Sequence, residues 1–466
     1  MSSITDTDTD TDTVDIARIV ARLRAVHAGG RTREAAWRIR QLEGIERLVD
    51  ERESEIAAAL EKDLGRTAAE AWLGDVASTK GEAAYARKRV KRWMRRRPRS
   101  LSANQLPGFA WIQHEPLGVV LVIAPWNYPV YLALSPLVAA VSAGNAVVVK
   151  PSEVAPATSG LLARLIPQYL DPDAIVVVEG DAATTQELLS QGFDHVLFTG
   201  GTEVGRKIMA AAAPHLTPVL LELGGKSPVI VAADADLDVV ARRVVWGKLL
   251  NSGQTCIAPD YVLVERSVRD ALVQKMSDTV TQFLADRPGG LRVVNERQFD
   301  RLASYLSGTS GRVASGGGLD REALTIEATI LVDPAPDDAV MGEEIFGPIL
   351  PVLTVDSMDE AIEFVRARPK PLAAYYFTRS KALRARFLSE ISSGAAVVNH
   401  VGMHVLAPQL PFGGVGPSGT GAYHGKWGFE AFSHRKSVLT KPFSPDLKLL
   451  YPPYTDKALN LLRRLL

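Results

Sequence analysis

The sequence predicts an α/β protein with a doubly wound, mostly parallel sheet, and three observations carry that prediction. Runs of β-branched residues, Val119 to Ala124, Ala146 to Val149, Ile175 to Val178 and His195 to Phe198, have the length and apolar character of strands buried on both faces. Helical periodicity fills the intervals between them, and such alternation puts helices on both sides of a sheet. The polar motifs follow the strand ends, where dinucleotide sites of such sheets lie.

At 466 residues the chain is long enough for two or three domains. Its 53 basic and 53 acidic residues cancel, so no global field draws a polyanion, and no nucleic-acid partner is expected. One cysteine excludes an internal disulfide and a cysteine-based metal cluster, which suits a reducing, cytoplasmic setting. The first thirteen residues, rich in Asp-Thr repeats, lack the basic start and apolar core of a signal peptide and read as a disordered acidic tail.

From Val14 to Ala86 apolar residues recur at helical spacing. Nine of the thirteen residues from Arg87 to Arg99 are basic; this run reads as a solvated helix face, with an anionic surface as the alternative. Leu117 to Val149 has no formal charge over thirty-three residues, long enough to span a bilayer. Pro125, Asn127, Pro129, Pro136 and Asn145 break it, so a strand, a turn, a short helix and a second strand are expected.

Asn127, between Pro125 and Pro129, offers a neutral amide on a stiffened turn; such a donor can stabilise an oxyanion, or it is a plain turn asparagine. Lys150 and Glu153 follow a strand and could hold ribose hydroxyls, and Glu153 would repel a 2′-phosphate. Thr199, Gly200, Gly201 and Gly205 enter a helix, where backbone N–H groups can approach a pyrophosphate, although the spacing is not Gly-x-Gly-x-x-Gly. Glu222 sits in the apolar run Val219 to Leu223. A carboxylate there is either ion-paired, with Lys226 as the near partner, or a base of raised pKa.

The helix expected from Leu237 to Leu250 ends in Asn-Ser-Gly, which puts Cys256 on a constrained loop, as a nucleophile or as core filler. Beyond Pro228 a second α/β region begins, with strands near Val229 to Val231 and Tyr261 to Val264 and helices from about Arg266 to Leu284 and Asn295 to Leu306. Gly311 to Gly318 reads as a surface turn. Glu344 and Phe346, alone, read as a charged loop anchored by an aromatic. His400, His404 and His424 lack metal-ligand spacing and read as satisfied loop histidines; no metal is expected. From Asp456 a short amphipathic helix sets Leu459, Leu462 and Leu466 on one face, to cover protein or to lie weakly on a lipid surface.

Glu222-Leu-Gly-Gly-Lys-Ser-Pro228, Gly253-Gln-Thr-Cys256, Pro125-Trp-Asn127-Tyr-Pro129, Lys150-Pro-Ser-Glu153, Phe198-Thr-Gly-Gly201 and Glu343-Glu344-Ile-Phe346-Gly-Pro348 occur together in one chain. With them the sequence resembles an aldehyde dehydrogenase from about residue 15 to about residue 440. Cys256-Ile-Ala-Pro-Asp-Tyr261 and the segment from Asn399 through Phe412 to Lys426 resemble its class-3 branch, which takes fatty and aromatic aldehydes.

The resemblance implies an aldehyde dehydrogenase-like fold: a Rossmann-type NAD-binding domain from 14–94 and 117–222 and a catalytic domain from 223–404. A bridging or oligomerisation element comes from 95–116 and 405–445, before a C-terminal tail at 446–466. It implies Cys256 as nucleophile, Glu222 as water-activating base, and Asn127 with the Cys256 N–H as oxyanion hole. Lys150, Glu153, Thr199, Gly200, Gly201, Gly205, Glu344 and Phe346 would hold NAD, with NADP less favoured, while Tyr128 and Phe412 would face the aldehyde. A homodimer follows from the same resemblance. Two rivals stay open: a coenzyme A-acylating enzyme, which needs no water-activating base, and a non-catalytic binding protein on this fold. No Lys or Arg in the motifs invites a substrate carboxylate, which favours apolar aldehydes.

Overall fold

The computed structural model describes residues 15–286, 289–446 and 448–465; the acidic tail at 1–13 and Leu466 lie outside them. The N-terminal third is helical as expected, with helices Ile16–Ala28, Ala35–Glu51, Glu53–Leu64 and Ala77–Arg87. Asp15 starts the first by accepting the Arg18 N–H at 2.9 Å, a cap of about 1 kcal/mol.

A six-stranded sheet follows. Its five parallel strands run in the order Val219–Glu222, His195–Thr199, Val119–Ile123, Ala146–Lys150, Ile175–Val177, with Gly419–Thr420 antiparallel at one edge. Chain direction across the sheet reverses between Val119–Ile123 and His195–Thr199, so the crevice for a dinucleotide opens at the C-terminal ends of those strands. Asn127, Lys150, Thr199 and Glu222 all stand at such ends.

The uncharged stretch is protein interior. Strand Val119–Ile123 leads to helix Tyr131–Ala143, every residue of which is buried, and then to strand Ala146–Lys150. The helix is apolar all round because it packs between the sheet and the N-terminal helices. No helix among the described residues is long and apolar enough to cross a membrane.

A second sheet has seven strands in the order Arg312–Ser315, Thr329–Val332, Ile349–Val355, Tyr261–Glu265, Pro228–Val231, Ala373–Phe377, Ala395–Val398; all are parallel but the first. Strand Arg312–Ser315 corrects the expected surface turn. Only its glycine end turns, where Gly316 has φ +74° and an added Cβ would lie 2.3 Å from the Ala328 carbonyl oxygen. A small antiparallel sheet joins Arg97–Arg99, Phe109–Pro116 and Ser433–Thr440.

The basic run is not one solvated helix face. It crosses the end of Ala77–Arg87, the short helix Val90–Trp93 and strand Arg97–Arg99. Arg87 pairs with Glu46 at 2.6 Å and Arg97 with Glu430 at 2.9 Å, while Arg96 lies over Trp111. Trp93 is buried against Tyr85 and Phe429. Partners from distant segments take up Arg87 and Arg97, which spacing along the chain could not reveal, while Lys88, Lys91, Arg92, Arg95 and Arg99 stay exposed as a solvated run would.

Candidate active site

Helix Leu237–Leu249, capped by Asp236, stops because Asn251, Ser252 and Gly253 all take left-handed φ angles of +50°, +58° and +75°. At Gly253 a Cβ would lie 2.2 Å from the Gly347 carbonyl oxygen, so the close approach requires glycine. Gln254 then locks the loop: its Nε2 donates to the Asn251 and Arg292 carbonyls, and its Oε1 accepts the Val294 N–H. Cys256 emerges from this turn half-buried in the wall of a cavity of about 210 Å³.

Glu222, the last residue of its strand, lines the same cavity, as do Tyr128, Thr199 and Phe412. The structure therefore brings the thiol, the carboxyl and both expected aldehyde-facing rings to one space. Asn127 is buried beside it, and its Nδ2 donates to the Gln254 carbonyl at 3.1 Å, within two residues of Cys256.

The ion pair weighed for Glu222 does not form. Lys226 donates instead to Asp260 and to the Val340 and Glu343 carbonyls. Neither Glu222 oxygen has a hydrogen-bond partner among the described residues. Burial raises its pKa well above the usual carboxyl range. Burial, then Glu344 and Glu222, push the Cys256 thiol far up as well. Burial thus favours a protonated thiol and a protonated carboxyl in the resting site over a preformed thiolate.

Of the residues expected to hold a dinucleotide, Thr199 lines the cavity and the others stand outside its wall. Lys150 Nζ lies 2.6 Å from Glu153 Oε2. Gly201 has open space where a side chain would be, and Thr199 Oγ1 is buried without a partner among the described residues. Glu344 reaches across from the second α/β region and sits on Gly224, where a Cβ would be 1.8 Å from its Oε2; burial and then Asp260 push it up to about 8. Phe346 meets Trp126 edge-on at 5.3 Å. The bare glycines, the orphaned hydroxyl and the two carboxyls fit a nicotinamide dinucleotide. On binding, its pyrophosphate would face the Gly200–Gly201 turn and its riboses would face Lys150, Glu153 and Glu344.

Sequence reasoning missed much of the cavity wall. Tyr131, Trp246 and Tyr423 line it, and so does Arg66, the cation not expected there. Tyr131 lies two residues past Pro129 and Tyr423 within the segment from Phe412 to Lys426, whereas Trp246 and Arg66 stand in no motif. Of the histidines, His400 bonds the Val401 backbone and His424 the Tyr131 hydroxyl as expected, while His404 differs. His404 and His424 sandwich Phe412 at 5.7 and 5.0 Å, and burial lowers their pKa values to about 4 and about 3. Neither His404 nitrogen has a partner among the described residues, so aromatic packing, not hydrogen bonding, holds that ring. Among the described residues no group of three or more His, Cys, Asp or Glu could hold a metal ion.

The aldehyde dehydrogenase family model matches residues 3–438, and the chain belongs to that family. It is an NAD(P)-dependent aldehyde dehydrogenase, and the relatives it resembles place it in the class-3 branch. A family 3 aldehyde dehydrogenase of Arabidopsis thaliana is 46% identical over 97% of this chain and 95% of its own length. The dimeric, NADP-preferring aldehyde dehydrogenase of Rattus norvegicus is 45% identical over 98% of this chain and 99% of its own. Staphylococcus aureus AldH, solved in a substrate-bound state, superposes with a TM-score of 0.93 at 39% identity, covering 96% of this chain and 99% of that one.

Proposed function

We propose that this enzyme oxidises apolar aldehydes, medium- or long-chain aliphatic or aromatic, to carboxylic acids, with NAD preferred over NADP. One observation carries the reading: the only thiol in the chain and a buried carboxyl unpaired among the described residues share a single apolar cavity. Tyr131, Leu132, Leu250 and Val401 form much of its wall, and exposed Leu73, Met403 and Leu406 continue the apolar surface outward. Arg66 adds a cation, but each of its three nitrogens already donates, to Asn251, Asp75 and Asn127, and Asp75 balances its charge, which disfavours its use on a substrate carboxylate.

Cys256 gives up its proton to solvent, and the thiolate sulfur adds to the aldehyde carbon. The Asn127 amide and the Cys256 N–H receive the charge that develops on oxygen; one such donor is worth about 10²-fold in rate. Bound NAD supplies the hydride acceptor that turns the adduct into a thioester. Glu222, once it has released its own proton to solvent, takes a proton from water, whose oxygen replaces sulfur on the acyl carbon and frees the acid. The NAD preference rests on Glu153, a carboxylate beside the ribose-binding lysine. We assign the cofactor domain to 14–94 and 117–222, the catalytic domain to 223–404 and the bridging element to 95–116 and 405–445, with a cytoplasmic homodimer as the working form.

The test is NADH formation from a medium-chain aliphatic aldehyde and NAD, without coenzyme A. The expected result is turnover that vanishes in Cys256→Ala. Activity only after coenzyme A is added would replace the hydrolytic role of Glu222 with an acylating one.

A further inference from the structure

Asn127 and Cys256 reach the site from different sheets, and the oxyanion hole assigned above requires that they be held in register. Arg66 lies between them. It follows helix Glu53–Leu64 and left-handed Gly65, and it is 4% exposed. Its Nε donates to Asn251 Oδ1 at 2.9 Å, and its Nη2 donates to the backbone carbonyl of Asn127. Asn251 Nδ2 donates to that same carbonyl at 2.8 Å and to the Gln254 carbonyl at 3.0 Å. The Asn127 amide also donates to the Gln254 carbonyl, so Arg66, Asn127, Gln254 and Asn251 form a closed ring of hydrogen bonds.

The third arm of the guanidinium extends the clamp. Nη1 pairs with fully buried Asp75, whose Oδ1 accepts the Val130 and Tyr131 N–H groups at 3.1 and 2.8 Å. The plane of Arg66 lies over the Tyr128 ring at 4.2 Å. One side chain thus fixes residues 127–131 and the left-handed turn before Cys256 at once. Only a planar fork can do this; an ammonium at the same place could satisfy Asp75 but not all three directions.

We infer that Arg66 is the positioning residue of the oxyanion hole, registering the Asn127 amide against the Cys256 loop and acting through them, not on the substrate. The inference rests on the proposed roles of Asn127 and Cys256. Because oxyanion donors work only when preorganised, a small shift of either segment is expected to cost rate rather than affinity.

Arg66→Lys keeps a cation opposite Asp75 and removes the fork. Asn251→Ala breaks the ring while leaving Arg66 paired with Asp75. Each is expected to lower kcat by about tenfold or more, with KM for NAD within about twofold. In an Asn127→Ala background the same substitution should cost less than about twofold, since the donor it positions is gone. Equal losses in both backgrounds would reduce Arg66 to a general structural role and overturn the inference.

A second readout does not need turnover. Cys256 is the only thiol, so its alkylation by iodoacetamide reports the loop directly. Both variants should react about threefold faster or more as the turn loosens. An unchanged rate in a folded variant overturns the inference even if the protein oxidises no aldehyde, whereas an inactive wild type with accelerated alkylation in the variants would sink only the functional assignment. If Arg66→Lys fails to fold, Asn251→Ala decides.

Discussion

Lys226 Nζ lies 2.5 Å from Asp260 Oδ2, so the lysine four residues beyond Glu222 is committed to another acid. Asp260 in turn accepts the Ile345 N–H, which ties the pair to the segment carrying Glu344 and Phe346. The pairing leaves Glu222 buried, unpartnered among the described residues and disposed to stay protonated, so it must release that proton before it can act as a base.

Glu222→Gln keeps the shape and removes the base. Steady-state turnover is expected to fall by about 10²-fold to 10³-fold, with a rapid first equivalent of NADH retained because the thioester still forms. Stopped-flow absorbance separates the phases. A normal steady-state rate would mean that another group activates water.

The thiol should titrate late. Burial and two neighbouring carboxyls hold Cys256 above the ordinary thiol range, so its alkylation in the protein without cofactor should rise about tenfold per pH unit from about pH 6 to about pH 9, with no plateau. A plateau near neutrality would reveal a stabilised thiolate and contradict the electrostatics described above.

Glu82 makes a stability prediction. It is buried, accepts the Gly425 N–H at 2.6 Å, and burial raises its pKa from 4.5 to about 7. Below pH 4.5 the carboxyl is neutral in both folded and unfolded chains and costs nothing. As pH rises to about 7 the unfolded chain ionises more readily than the folded one, so a penalty grows, to about 3 kcal/mol, and then stays constant. Glu82→Gln keeps the acceptor and loses the charge, so its Tm advantage over wild type should open across that window. A gap independent of pH would refute the assignment.

Glu153→Gln removes the carboxylate beside Lys150. The ratio of kcat/KM for NADP to that for NAD should rise by about tenfold, one charge repulsion relieved at partial exposure. An unchanged ratio would move cofactor discrimination to another residue; this matters because a close relative, the rat enzyme, is NADP-preferring.

Much of this site could be read in the chain. Strands such as Ala146–Lys150 announce themselves because a buried parallel strand is a short β-branched run, and the turn before Cys256 because Asn-Ser-Gly tolerates positive φ. The Gly311 to Gly318 segment reads as a turn in the sequence because an edge strand of exposed and half-exposed residues carries no such apolar signature. Arg66 gave no signal at all: its partners stand 9, 61 and 185 residues away.

By itself the sequence determined the doubly wound class, the position of each motif at a strand end and the one thiol available for covalent chemistry. These follow from periodicity, turn chemistry and composition, which are local properties. Only the tertiary structure decided that Lys226 serves Asp260, that Arg66 joins Asn127 to the Cys256 loop, and that Tyr131 and Tyr423 close the cavity. Desolvation, ion pairing and cavity shape depend on distances between residues remote in sequence, and folding alone sets those distances.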